Sequence, residues 1–460
     1  MGRKRLTEQE KFVRLCAKGS GKKVEEAILA GANLSKMAFL DKDENYESLV
    51  TPLEAAVKAE NRRTLKVLIK YVDYVEFFFM SISLKRIEDC KILLECGADI
   101  NKTDNEGHNA VWFAIDQNDS KALEWLLYNG ADTWMMYDEG YSPLMFAVKK
   151  HSERSVINFD YNILKYLIWS EPPFINSMAL MFCVKTLNYT LIEQFLKYGV
   201  DINFKVDSAS PLMVALDGLK RDDNNYRYMI SFLLENGADP NEKIYFSDGT
   251  MITVLSYVVS IDDPDVARTL LMSGADPNVK DSKGRAPLIY SVLTSSKMSE
   301  VLLQYGADPD TTDDDGRTPL MFAVIDINTE EGVIETLLEN NADINRQDKY
   351  GLTALMWAIN RHDRAPKFVF QALIRTGGFN VEGWLLWCTF MFFYMLAEHE
   401  NQIENVRLLL QNNADISITD KKGMTAVSYA AAHSNDDVLE LLMQYDMMNN
   451  KMNTEMNNFI

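Results

Sequence analysis

The sequence predicts an all-α solenoid, a series of stacked helix-turn-helix units with β-turn fingers projecting between them. Three observations predict it. Two apolar residues, two others and Gly-Ala-Asp recur as LLECGAD at Gly97, LLYNGAD at Gly130, LLENGAD at Gly237, LLMSGAD at Gly274 and LLQYGAD at Gly306. A second phrase, D-x-x-G, then a helix cap and a small residue, follows that close at a fixed interval. The steps between copies are 33, 37 and 32 residues where neighbours are both well formed. A unit of that size cannot bury a core alone but can do so when stacked in series.

Looser copies fill the gaps: ILAGAN at Gly31, VLIKYVD at Tyr71, LIWSEPP at Glu171, FLKYGVD at Gly199, LLENNAD at Asn341, LIRTGGF at Gly377, LLQNNAD at Asn413 and LLMQYDM at Tyr445. With these, about thirteen units of roughly 34 residues cover 12–446. A basic arm at 1–11 precedes the array, and a tail at 447–460, MMNNKMNTEMNNFI, reads as disordered.

Each part of the unit has a physical reading. D-x-x-G is a turn whose Gly is free to take positive φ. Thr or Ser next caps a helix, and Pro in its first turn sacrifices no hydrogen bond, as in Thr51-Pro52, Ser142-Pro143, Ser210-Pro211 and Thr318-Pro319. Five places after the cap stands a small residue (Ala56, Ala114, Ala147, Ala215, Ala323, Ala358, Ala430), which lets adjacent helices approach closely. A second helix ends on the Leu pair, and Gly or Asn supplies its left-handed C′ position.

These residues closely resemble the ankyrin repeat family: the 33-residue mode, the D-x-x-G-x-T-P-L opening and the LLxxGAD close all match. Tetratricopeptide repeats share the length, but their Trp/Gly/Tyr pattern is absent. The resemblance implies a non-enzymatic module that binds a protein partner, as adaptor, scaffold or inhibitor, through finger tips and first-helix faces. Carried over by position, the contact residues are Glu106, His108, Tyr141, Lys283, Arg285, Asp314, Asp315, Arg317, Tyr350, Leu352 and Met424, with Glu139, Lys349, Lys421 and Lys422 as further tips. Tyr141, Tyr350, Leu352 and Met424 suit a contact hot spot if exposed. One departure is systematic. The family places His after T-P-L, whereas this chain has Met145, Met213, Met321 and Met356 there, and Glu54, Trp112, Ser256, Ile289 and Ser428 in other units. Methionine there reads as core filling.

The irregular units are candidates for altered curvature or binding. Three lack a finger, around 74–84, 174–184 and 384–396. Two carry insertions between helices, at 149–160 and 217–227, and one has a long finger at 242–252.

Charge and composition exclude other classes. Acids outnumber bases 67 to 47, for a net charge of -20, and a duplex or an anionic membrane surface repels such a chain. Residues 301–350 hold twelve acids and three bases, so a basic patch on the partner is expected there. Five scattered cysteines make no disulfide framework. The N-terminal MGRKRL lacks the apolar run of a secretory leader, and the longest apolar run, Trp384–Ala397, is 14 residues where a membrane span needs about 20. A cytoplasmic monomer is therefore expected, with no nucleic acid or membrane partner. An effector delivered into a host cell would use the same surface.

Catalytic and metal motifs fail on inspection. GSGKK at 19–23 has Cys16 where a phosphate loop needs Gly and Lys23 where it needs Ser or Thr. The acidic run at Asp313–Asp315 places Phe322 where a calcium loop needs its bidentate carboxylate. The five histidines have no mutual ligand spacing, His399-Glu400 lacks its second His, and G-x-S-x-G is absent. No catalytic residue, cofactor or metal is expected, and a cryptic enzyme is the least supported reading.

Overall fold

Short helices in antiparallel pairs make up the structure, a computed structural model that describes residues 6–39, 49–137, 140–154, 158–221, 224–246, 248–325, 332–360, 401–433 and 435–457. The chain divides into two compact units, 1–229 and 230–460. In the first, the helix pairs are Glu8–Lys18 with Gly21–Leu29, Pro52–Lys58 with Arg62–Tyr71, and Val75–Ser83 with Ile87–Glu95. Next come Ala110–Asp116 with Ser120–Tyr128, Pro143–Arg154 with Asn162–Ser170, and Pro173–Lys185 with Tyr189–Lys197. The pair Pro211–Gly218 and Asn224–Glu235 contains the boundary between the units. The second unit continues with Val254–Ser260 and Pro264–Met272, Pro287–Ser291 and Ser296–Gln304, and Pro319–Ile325 and Val333–Glu339. It ends with Ala354–Ile359 and 401–411, then Ala426–Ala432 and Asp436–Asn457.

Local chemistry sets these boundaries. Ser210, Thr253, Thr353 and Thr425 cap first helices by accepting from the amide three residues on. Asn61, Asp119, Asn188 and Asp263 do the same for second helices. Second helices that precede a finger stop where the chain turns left-handed, and Asn341 and Asn413, both at φ 65°, do there what Gly does in other units. The methionine slot lies three residues after the cap. Met321 and Met356 are buried and Met145 and Met213 half-buried, as core filling requires. Where the slot is Ser, its hydroxyl bonds the cap instead, with Thr253 to Ser256 and Thr425 to Ser428 both at 3.0 Å.

Packing between pairs explains the small residue. Ala56, Ala114, Ala147, Ala215, Ala323, Ala358 and Ala430 are all buried, and any larger side chain would force neighbouring first helices apart. Ser291 takes the slot in one unit and satisfies its hydroxyl on Leu288 O and Ser299 Oγ, both at 2.9 Å. The first Leu of each pair (Leu93, Leu126, Leu270, Leu302, Leu337, Leu409) is fully buried beneath the adjoining unit.

A polar ladder fixes the register. In GAD-x-N the Asn side chain bridges to the end of the next unit. Asn278 donates to Gly306 O at 3.0 Å and accepts from Asp308 N at 2.8 Å. Asn241 does the same to Gly274 O and Asp276 N, and Asn101 to Gly130 O and Asp132 N. Asp310, with no donor of its own, accepts only from Asp343 N.

The ladder also joins two fingers that lie far apart in sequence. Asn345 accepts from Asp415 N at 2.8 Å, Lys421 N donates to Tyr350 O at 3.1 Å, and Gln402 Nε2 donates to Ala358 O and Ile359 O. The finger at 343–352 therefore lies directly against that at 415–424, with none between them. Residues 401–411 form the second helix of the pair begun by Ala354–Ile359. The described residues hold twelve helix pairs. The unit expected around Gly377 and the fingerless one expected at 384–396 lie outside the described residues.

The expected ends also shift. The first helix begins at Glu8, inside the expected arm, because Thr7 and Glu10 form a reciprocal capping box. Gly19-Ser20 is the interhelical turn and Gly21–Lys23 already belong to the second helix. The expected disordered tail instead continues the last helix to Asn457, since no Gly or Pro interrupts Asp436–Asn457. The long finger is an antiparallel hairpin, Lys243–Tyr245 with Met251–Thr253. A second elaborated finger, pairing Ala38–Phe39 with Leu49–Val50, was not anticipated.

At two junctions the finger is missing, as expected, and helices Val75–Ser83 and Pro173–Lys185 follow almost at once. Glu171 fills the second gap. Its buried carboxylate accepts from Leu144 N at 3.0 Å and from the Ser142 side chain at the start of helix Pro143–Arg154, while Oε2 has no hydrogen-bond partner among the described residues. Burial raises its pKa to about 7 from an ordinary 4.5. A raised carboxyl pKa means that the folded state holds the proton more tightly, so this stabilisation is complete below about pH 4.5 and is lost as pH rises toward 7. Glu171→Gln keeps an acceptor for Leu144 N without the charge. The melting temperature of wild type minus that of Glu171→Gln is expected to fall steadily from pH 5 to pH 8. A difference that stays flat would contradict the burial account.

Candidate partner-binding surface

A finger is a turn folded around one carboxylate. Asp348 Oδ1 accepts from Tyr350 N and Leu352 N at 2.8 and 2.9 Å, and Oδ2 accepts from Trp357 Nε1 at 3.0 Å. Asp420 repeats this with Lys422 N, Met424 N and the Tyr429 hydroxyl, all at 2.8 Å. Asp281 does so with Lys283 N, Arg285 N and the Tyr290 hydroxyl. Burial, followed by the Asp281 bond, pushes the Tyr290 phenol up to about 12. In these three fingers the third donor comes from the residue nine positions after the Asp, on the first helix. At Asp313 that residue is Phe322, which has no donor. Arg317 instead supplies Nε and Nη2 to Asp313 Oδ2 at 3.0 and 2.7 Å and lies over the Phe322 ring. The finger Gly is doubly constrained: at Gly284, φ is 73° and a Cβ would come within 2.3 Å of Asp314 Oδ1 in the next finger.

This architecture sorts the contact residues expected from sequence. Glu106, Lys283, Asp314 and Tyr350 are exposed tips, as are Lys349, Lys421 and Lys422. Tyr141, Arg285, Asp315, Arg317 and Met424 are half-buried. Leu352 and His108 are buried at 7 % exposure each, which corrects their place on the contact surface. Leu352 sits behind the turn that its own amide helps to close, and His108 stacks on Trp112 at 4.1 Å. Glu139 lies outside the described residues. The acidic run is also largely occupied internally. Asp313 is the buried turn carboxylate, and Asp315 pairs with Lys349 and Arg317. The Lys349 bond lowers the Asp315 pKa, and the same bond raises that of Lys349. Of the three consecutive acids, only Asp314 faces solvent fully.

Family models described as ankyrin repeats match residues 77–167, 255–348 and 302–382 in three copies, and 393–443 in a model of many copies, more than half of the chain in all. The chain belongs to the ankyrin repeat family. It is 29% identical over 177 residues to Neurogenic locus notch homolog protein 1 of Xenopus laevis, 36% of this chain and 7% of that protein. It is 27% identical over 200 residues to Putative ankyrin repeat protein L371 of Acanthamoeba polyphaga mimivirus, 42% of this chain and 25% of that protein. It is 27% identical over 161 residues to Phosphocholine transferase AnkX of Legionella pneumophila, 35% of this chain and 14% of that protein. The chain thus spans a quarter or less of each of these relatives.

Across the ankyrin first helices of residues 75–185 runs a file of aromatic rings. Phe79 stacks on Phe113 at 4.4 Å and Trp112 on Phe146 at 5.3 Å, while Tyr141 meets Phe182 edge-on at 6.5 Å. Trp112, Phe113, Phe146 and Phe182 are half-exposed. Lys150 lies over Trp112 and Phe146, and Lys149 lies over Tyr141 at 4.6 Å. The two fingerless junctions bound this file, and the fingers at 99–109 and 132–142 stand between them. Of these residues only Tyr141 is among the contact residues expected from sequence. The signal was an aromatic directly before the small residue in six units: Phe113, Phe146, Tyr290, Phe322, Trp357 and Tyr429.

Asp348→Ala strands two turn amides and the Trp357 indole N–H, and should cost about 2–4 kcal/mol. Urea denaturation monitored by circular dichroism measures this, and a loss below about 0.5 kcal/mol would contradict the role of the carboxylate.

Proposed function

We propose that this chain is a non-enzymatic protein-binding module that docks a protein partner on the aromatic file of residues 75–185 and its two fingers. The observation that supports this most directly is the run of half-exposed rings, Trp112, Phe113, Phe146 and Phe182, with Lys150 over the faces of Trp112 and Phe146. Aromatic anchors in a contiguous, partly dry strip are what interface hot spots are made of. Fingers and first helices are also the elements on which unit-to-unit differences can accumulate without disturbing the buried Leu and Ala positions.

Charge adds selectivity. Asp308, Asp314, Glu335, Glu339 and Asp343 are exposed in the second unit, and a basic patch on the partner would gain on-rate there. We take the module to work as a monomer in the cytoplasm. Among the described residues, no helix is long and apolar enough to cross a membrane.

The test is capture of partners from native lysate on immobilised protein, compared with the double variant Tyr141→Lys/Phe182→Lys and with Asp314→Lys. The aromatic double variant should lose at least about tenfold of its captured partner while keeping its helical circular dichroism. Asp314→Lys should slow association at low salt without abolishing capture. Full retention by the aromatic variant would place the interface elsewhere.

A further inference from the structure

The fingers 104–108 and 313–317 are the same turn in the same register. Each has an Asp three residues before Gly, an acid one residue before it and a basic side chain one residue after it. In the second finger Arg317 carries a permanent charge and sits between the two carboxylates, 2.7 Å from Asp313 Oδ2 and 3.2 Å from Asp315 Oδ2. In the first, the same place is taken by an imidazole. His108 Nδ1 lies 3.4 Å from Asp104 Oδ2 and 3.5 Å from Glu106 Oε2, and the three ligand atoms all lie within 4.8 Å of one another.

We propose that Asp104, Glu106 and His108 form a binding site for a divalent first-row metal ion of the zinc class. Ligands bound tetrahedrally at about 2.1 Å sit ~3.4 Å apart, which is the spacing that His108 Nδ1 already keeps from both carboxylates. The Asp104–Glu106 separation closes by rotation of Glu106, whose side chain is 78% exposed and leaves the site open to solvent. The other two ligands are held in place. Asp104 Oδ1 accepts from Glu106 N and His108 N at 2.9 Å, which directs Oδ2 toward the imidazole. The imidazole stacks on Trp112, and the rings of Phe113 and Tyr137 lie 6.4 Å away, edge-on. Supporting contacts of this kind fix ligand orientation and so lower the cost of binding.

The donor set selects the metal. One imidazole nitrogen and two carboxylate oxygens balance a divalent charge, and the nitrogen favours zinc, copper or nickel over magnesium or calcium. Among the described residues the other fingers lack this combination: the position one residue after Gly is Tyr141, Thr250, Arg285, Arg317, Leu352 or Met424. A bound ion would clamp the exposed Glu106 tip to the rigid base of its finger, at the edge of the aromatic file.

Isothermal titration of the full-length protein with zinc chloride at neutral pH tests this, alongside His108→Gln and Glu106→Gln. One equivalent should bind to wild type. His108→Gln should weaken binding at least tenfold and Glu106→Gln severalfold. Since His108 is packed on Trp112, its substitution could disturb folding, so electron paramagnetic resonance of the wild type with one equivalent of copper(II) provides an independent arm. A single coupled nitrogen is expected. Absence of any zinc site tighter than millimolar, binding unchanged in His108→Gln, or a copper spectrum without nitrogen coupling would each overturn the assignment.

Discussion

Two short helices and a turn bury too little apolar surface to stand alone, so every feature of this chain answers to the interface between one unit and the next. The fully buried Leu at the end of each second helix and the Ala in each first helix are two sides of that requirement. One supplies apolar area and the other removes the bulk that would keep neighbours apart. Apolar contact by itself does not choose a register. The Asn of GAD-x-N does, because its carboxamide reads one carbonyl and one amide of the adjoining unit at bonding distance. A slip of one residue would leave all of these groups unpaired, which makes the ladder a specificity device as well as a stabilising one.

The fingers show the same economy. A buried carboxylate closes the turn with two amides and then needs a third donor. Tyr, Trp and Arg all satisfy it, from different positions, so the chemistry is conserved between units while the side chains vary. The finger at 132–142 goes further and puts Tyr137 where the Asp would be, its hydroxyl bonded to Asn109 in the preceding finger at 2.8 Å. Variation that preserves the satisfied turn leaves tips and first-helix faces free to differ, and these are the surfaces assigned here to partner binding.

Much of this was legible in the sequence because repetition turns weak local signals into strong ones. Caps, left-handed stops and buried small residues were each visible as recurring letters. Pairing across a long stretch of sequence was less legible: only the bonds from Asn345 to Asp415 and from Tyr350 to Lys421 show that the fingers at 343–352 and 415–424 are neighbours. The candidate surface was the least legible part. Finger-tip positions follow from register, but Leu352 and His108 turn inward because the residue after the Gly packs behind the turn. The acids at 313–315 looked like a free patch because sequence does not show that Asp313 is internal or that Lys349 from the next finger neutralises Asp315. The helical tail to Asn457 is hard to read from sequence because its polar composition resembles disorder, although no Gly or Pro breaks the helix.

Unit-to-unit register rests on the Asn ladder. Residue-resolved hydrogen exchange on Asn278→Ala tests it most directly. The Asp308 amide, which bonds only through that carboxamide in the ladder, should lose protection, with smaller losses confined to the adjoining helix pairs Pro287–Gln304 and Pro319–Glu339. Protection at Asp308 equal to that of the wild type would contradict the account, as would a uniform loss across the whole chain.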